Sequence, residues 1–181
     1  ADRGAQAVGI DISSQLLELA QVSNAQQRIT YVVHDLSCSL PRYAQTFDLV
    51  VSNLVLNDVA DYRGFIATLG AVIKPQGRLI LSLTNPYSAV MREKVFSYFD
   101  SGTAVPYAWG GGHVYHFHRT MTDYISAFRH AGCLLNSLTD VQMTETMVAQ
   151  LPLTSRELPW FAMYHRFPFF IILEFLKTTQ E

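Results

Sequence analysis

The stretch Val8–Ser13, VGIDIS, decides how the rest of the chain is read. A short apolar run leads to a lone acid, Asp11, and then to a serine placed to start a helix. This is the strand-to-helix step of an α/β unit. In an open α/β sheet, ligands collect at the carboxyl ends of the strands. Asp11 is therefore open to two readings: a cap for the next helix, or a hydrogen-bond acceptor for a ligand.

The same rhythm continues downstream. Gln6–Ile10, Ile29–Val33, Phe47–Ser52 and Arg78–Leu83 are short, apolar and β-branched, as strands buried on both faces are. Between them, Ser13–Asn24 and Asp61–Ile73 carry apolar residues at helical spacing, with Ser13 or Ser14 as N-cap of the first. Lys74–Gly77, KPQG, ends the second helix. The expected fold is a single α/β domain over 1–181, a Rossmann-like, doubly wound, mostly parallel sheet with helices on both faces. Further on, Tyr87–Tyr98 reads as a helix and Ser101–Arg119 as an irregular lid or acceptor-side insertion. Thr120–Ala131 is a helix with a Thr120/Asp123 capping box and Gly132 just past its end. Leu134–Val141 and Phe169–Leu176, joined by the long connection Gln142–Tyr164, form a C-terminal antiparallel hairpin.

Composition narrows the function classes. Apolar residues make up 49% and charged residues 15% of 181 residues, which suits a packed domain. A net charge of −2 and scattered Lys and Arg offer no footprint for nucleic acid. Two cysteines, Cys38 and Cys133, make neither a disulfide framework nor a zinc site, and suit a reducing, cytoplasmic setting. The most apolar run, Phe169–Leu173, has strand length and not membrane-helix length. The expectation is no membrane, no nucleic acid and no metal.

The strand ends then define a candidate site. They carry Asp11 and Ile12, then His34, Asp35 and Leu36, then Ser52, Asn53 and Leu54, then Thr84 to Tyr87. If the strands are parallel, all four groups line one edge. One acid can accept from both hydroxyls of a ribose, more strongly than a neutral acceptor does. A second can accept from the exocyclic amine of a base. Ile12 and Leu36 can sandwich a flat ring, and the backbone of Asn53 can meet an ammonium. Each acid alone reads equally well as a cap. Two acids and an asparagine on successive strand ends are more than capping needs.

These motifs resemble class I S-adenosylmethionine-dependent methyltransferases of the small-molecule type. VGIDIS resembles the family's second strand, YVVHDL its next motif, and FDLVVSNLVLNDV the one after. KPQGRLILSLTNP resembles its "LKPGG" turn and fifth strand, with Gln76 in place of a glycine, and FHRTMTDYISAFRHAG resembles the tail of small-molecule members. The resemblance implies S-adenosylmethionine as cofactor. Asp11 would hold its ribose, Asp35 its adenine amine, Ile12 and Leu36 the ring faces, and Asn53 with Leu54 the methionine end. It implies direct O- or N-methylation of a small molecule. The family's first strand and its glycine-rich "DxGxGxG" turn have no counterpart in ADRGAQA, the residues before Val8. The expectation is a domain truncated at its N-terminus, with impaired cofactor binding.

The acceptor side is read from SGTAVPYAWGGGHVYHFHR, 101–119. His113, His116 and His118 are candidate general bases, since histidine as a residue type titrates near neutrality; packing or capping is the alternative for each. Tyr87 and Trp109 are candidate pocket walls, and Arg119 a candidate partner for an acidic acceptor. Gly110–Gly112 lacks the Lys-Ser/Thr of a phosphate loop and reads as a hinge. The aromatic stretch Trp160–Phe170 suits core packing or, less simply, a homodimer face. Two other functions compete: a NAD-type Rossmann oxidoreductase, where an acid after the second strand also takes ribose hydroxyls, and a non-catalytic remnant or partner subunit.

Overall fold

The computed structural model describes residues 4–24, 28–91, 94–109, 112–150 and 166–179, without the side chains of 89–91, 107–109, 112, 113 and 148. Strands β1 (Ala7–Asp11) and β2 (Ile29–Val33) pair in parallel, and α1 (Ser14–Ser23) packs on them. Strand β3 (Phe47–Asn53) pairs in parallel with β4 (Ile73–Thr84). The last two strands, β7 (Cys133–Val141) and β8 (Phe170–Lys177), are antiparallel, and β8 lies between β4 and β7. The result is an α/β fold with a two-stranded sheet, β1-β2, and a four-stranded sheet, β3-β4-β8-β7. β1 and β3 do not pair, so each leaves a strand edge facing a cleft.

The core follows from period-two patterning. Leu79, Leu81 and Leu83 of β4 and Ile171, Leu173 and Phe175 of β8 alternate onto one face and are essentially solvent-free. Two helices cover that face, α2 (Tyr62–Val72) with Phe65, Ile66 and Leu69, and α4 (Met121–His130) with Tyr124 and Phe128. Phe128 stacks on Phe175 at 4.1 Å. On the four-stranded sheet α2 and α4 lie together on that face, while Leu49, Val51, Ile172 and Leu176 on the opposite face stay 37–64% exposed.

Two further expectations change. The helix expected over Tyr87–Tyr98 is the short α3 (Pro86–Met91), and residues 94–98 are not helical. The segment expected to be irregular over Ser101–Arg119 contains an antiparallel hairpin, β5 (Ala104–Trp109) and β6 (Gly112–Phe117). Alternating small, apolar and aromatic residues there satisfy a two-stranded ladder that glycine content obscures. Gly110 and Gly111, the expected hinge, lie outside the described residues, as does most of Trp160–Phe170. The long connection after β7 includes a short helix, α5 (Glu145–Ala149).

Local chemistry sets the helix ends. Ser13 Oγ accepts from Leu16 N–H at the start of α1. At α4 the capping box is reciprocal: Asp123 N–H donates to Thr120 Oγ1 at 3.1 Å, and Thr120 N–H donates to Asp123 Oδ2 at 2.8 Å. Gly132 follows at φ +72°, the left-handed conformation that glycine adopts without steric cost. Lys74–Gly77, an irregular stretch at the start of β4, contains the opposite case, since Gln76 sits at φ +64° where a side chain is strained.

Two predictions follow from these ends. Gln76→Gly should stabilise the fold by about 0.5–1 kcal/mol in urea unfolding, relief of the left-handed strain exceeding the glycine entropy cost; an unchanged or lower midpoint would contradict strain at this position. Burial raises the Asp123 carboxyl, but hydrogen bonds from Thr120 and Ser101 outweigh it and hold the group below the ordinary carboxylate value. Its stabilising contribution is present above the unfolded value and is lost as pH falls through the folded one. Asp123→Asn should cost about 1 kcal/mol at neutral pH and flatten the acid limb of the stability profile.

Candidate functional site

The cleft between β1 and β3 encloses about 780 Å³. Asp11, Ile12, Asp35, Leu36, Asn53 and Leu54 all line it. They reach it because β1, β2 and β3 each end there. The parallel β1–β2 register brings Asp11 opposite Val33, and Asp35 follows two residues later.

Both acids are held by local turns. Asp11 Oδ1 accepts from Ser13 N–H at 2.8 Å, and Asp35 Oδ1 accepts from Ser37 N–H at 2.8 Å. The Ser37 backbone and hydroxyl bonds, aided by His34, hold the Asp35 carboxyl below its ordinary value, so it is an anion at neutral pH. A carboxylate has about four acceptor positions, and one turn bond leaves capacity for ligand donors. Capping and ligand binding are therefore compatible: the cap orients the group that would bind.

The end of β3 is pinned from the side. Ser82 Oγ donates to Asn53 Oδ1, and Leu54 N–H donates to both Ser82 O and Ser82 Oγ at 3.1 Å. Leu54 has φ +56°, so the strand stops in a left-handed residue at the cleft. Ile12 is 69% exposed, while Leu36 packs partly against the core.

The residues expected on the acceptor side lie around the β5–β6 hairpin. Asn57 ties that hairpin to the sheet: its carbonyl accepts from Phe117 N–H at 2.7 Å, and its Oδ1 accepts from Thr84 N–H at 3.1 Å. His116 Nε2 lies 3.0 Å from Asp58 Oδ1. His118 is buried with Nε2 against the Tyr98 carbonyl at 2.9 Å, which holds the segment before α4. Arg119 is 3% exposed. Its guanidinium donates to the carbonyls of Val59 and Ala60, both at 2.7 Å, and lies over the Tyr62 ring at 4.4 Å. It clamps the β3–α2 loop and is not presented to the cleft. Tyr87 is 55% exposed and stacks on Tyr98 at 4.6 Å. The side chains of Trp109 and His113 lie outside the described residues.

Sequence reading missed Asp58, which lines the cleft and pairs with His116. The available signal was the polar pair Asn57-Asp58 inside the apolar run LVLNDVA. Among the described residues no three His, Cys, Asp or Glu side chains cluster for a metal, and no helix is long and apolar enough to cross a membrane.

Residues 1–81 match the family model described as a methyltransferase domain. A ubiquinone biosynthesis O-methyltransferase of Coxiella burnetii is 33% identical over 111 residues, covering 57% of this chain and 47% of that protein. A tRNA 5-carboxymethoxyuridine methyltransferase of Escherichia coli is 29% identical over 104 residues, covering 55% of this chain and 40% of that one. The matches thus span about half the length of these curated relatives or less. A crystal structure described as an S-adenosylmethionine-dependent methyltransferase from Mesorhizobium loti superposes with TM-score 0.68 at 21% identity, covering 97% of this chain and 83% of that one. None of these matches supports the oxidoreductase reading. The tRNA relative leaves the exclusion of nucleic acid without support from the comparisons.

The Arg119 clamp yields a direct test. Arg119→Met should cost about 2–4 kcal/mol in urea unfolding, because the part-buried loop carbonyls lose charged donors and the space of a buried guanidinium is refilled imperfectly. Arg119→Lys should recover only part of that, since one ammonium cannot span the same carbonyls and ring. A Met variant as stable as wild type would remove the clamp.

Proposed function

We propose that this chain, which has the fold and motifs of the class I S-adenosylmethionine-dependent methyltransferases, belongs to an enzyme that methylates an oxygen or nitrogen of a small molecule. The observation that carries this reading is the convergence of Asp11, Ile12, Asp35, Leu36, Asn53 and Leu54 on one cleft. Bound there, S-adenosylmethionine supplies an electrophilic methyl group on a sulfonium. The chain supplies position. The Asp11 carboxylate accepts from ribose hydroxyls, and Asp35, already anionic, accepts from the adenine amine. Ile12 and Leu36 cover the ring faces, and the backbone at Asn53 and Leu54 meets the amino-acid end. Orientation of this kind supplies much of the rate in a direct displacement.

A small acceptor is supported by the net charge of −2, which gives no electrostatic attraction for a nucleic acid backbone. The exposed Tyr87 ring, stacked on Tyr98, offers a flat apolar surface. The free thiols Cys38 and Cys133 suit the reducing cytoplasm. The edges of β1 and β3 are unpaired along the cleft, so the described residues wall the cofactor from the strand ends but do not close the sheet behind it. We therefore expect impaired cofactor affinity for the isolated chain.

Calorimetric titration of the 181-residue chain checks this reading. S-adenosylmethionine should bind in the high micromolar range or weaker, and Asp11→Ala should weaken it at least about tenfold, or 1.4 kcal/mol. Low micromolar binding at one-to-one stoichiometry would show a complete site. Preference for NAD over S-adenosylmethionine would overturn the cofactor assignment. Binding of unmodified tRNA in place of small phenols or amines would overturn the acceptor class.

A further inference from the structure

We propose that Asp58 is the proton acceptor of the site, with His116 as the residue that positions its carboxylate. The inference rests on the methyltransferase reading and extends it to a residue that neither the motifs nor the relatives assign. Three observations converge on it. Asp58 lines the same cleft as the six cofactor-side residues. It stands on the β3–α2 loop, whose position is held from below by Arg119 on the Val59 and Ala60 carbonyls and from the side by Asn57. Its Oδ1 faces His116 Nε2 at 3.0 Å from the β5–β6 hairpin, so one oxygen is oriented and the other, Oδ2, makes no hydrogen bond to a described residue.

This arrangement suits a base better than a plain surface ion pair. The Asp58 side chain is 51% exposed and His116 30%, so the carboxylate is reachable from the cleft while its partner is more sheltered. Partial burial raises the Asp58 carboxyl above the ordinary value, and the nearby His116 pulls it back only in part. A carboxylate with a raised pKa holds a proton better. The other titratable groups around it are Asp11, His34, Asp35 and Asp61 along the cleft and Arg119 behind the loop. Among the three histidines at the hairpin, His118 is occupied with the Tyr98 carbonyl, which leaves His116 as the described one beside the cleft.

The step balances. A lone pair on the acceptor oxygen or nitrogen forms the new bond to the methyl carbon. The carbon–sulfur bond breaks, and its electron pair stays on sulfur. The proton of the acceptor O–H or N–H passes to Asp58 Oδ2, and is later lost to solvent. No oxidant, reductant or metal enters the balance. The ligand class is thus an acceptor that must lose a proton as it is methylated, such as a phenol.

The experiment uses the full chain with millimolar S-adenosylmethionine and two probes, catechol and the far more acidic 4-nitrocatechol. Asp58→Asn should lower kcat for catechol by about 10²–10⁴-fold at neutral pH, with the catechol KM within about threefold of wild type. The loss should shrink at least about tenfold for 4-nitrocatechol, whose hydroxyl is largely ionised without help. A merely structural pair would affect both probes alike, and that result overturns the assignment. His116→Gln should give a smaller loss and shift the pH profile of kcat upward. Independently of turnover, the Asp58 carboxyl carbon should titrate above the ordinary carboxylate range by NMR, and higher still in His116→Gln; titration at or below that range overturns the proposal. Transfer at full rate by Asp58→Asn removes the base and leaves the methyltransferase reading standing. No transfer by wild type to either probe removes both.

Discussion

The parallel pairing of β3 with β4 is the constraint on which the site depends. Its register sets Val51 against Ile80 and Asn53 against Ser82, which brings the end of β3 level with a hydroxyl that can hold it. Ser82 then binds both the Asn53 side chain and the Leu54 N–H, and the strand ends in a left-handed residue. A slip of one residue would turn Leu79, Leu81 and Leu83 out of the core. The packing that buries those leucines therefore also fixes where the polar end of β3 stands.

Polar residues in the second half of the chain do more holding than reacting. Arg119 is buried, yet its donors meet backbone carbonyls and its face meets Tyr62, so a desolvated cation is compensated. His118 and Asn57 act in the same way on the segments next to it. Together they join the β3–α2 loop, the β5–β6 hairpin and the start of α4 into one rim beside the cleft. That rim is where Asp58 and His116 meet.

Much of the fold was legible because its signals are local. β2 has the bounds expected from ITYVV, α1 begins at the serine cap, and the Thr120/Asp123 box marks the start of α4. The odd residue in KPQG, Gln76, does occupy a left-handed position where a glycine would sit without strain. The misses have a shared cause. The hairpin at 104–117 is rich in glycine and aromatics, so its strand character comes from cross-strand pairing that no single segment displays. The helix after Pro86 is short because helical propensity over Tyr87–Tyr98 yields to the stacking of Tyr87 on Tyr98 and the Tyr98 contacts with His118 and Met121. The exposed apolar side of the four-stranded sheet was invisible too, since a strand apolar on both faces does not say which helices cover it.

By itself the sequence determined the order of strands and helices, the caps, and which residues stand at strand ends. Periodicity and capping act over a few neighbouring residues, so they can be read in one dimension. Only the tertiary structure decided that the acids after β1 and β2 and the Asn53–Leu54 end of β3 line one cleft, that β8 enters between β4 and β7, and that Asp58 meets His116. Asp58 and His116 are separated by the whole of α2, β4, α3 and β5. Their meeting depends on the packing of those elements, which no local pattern encodes.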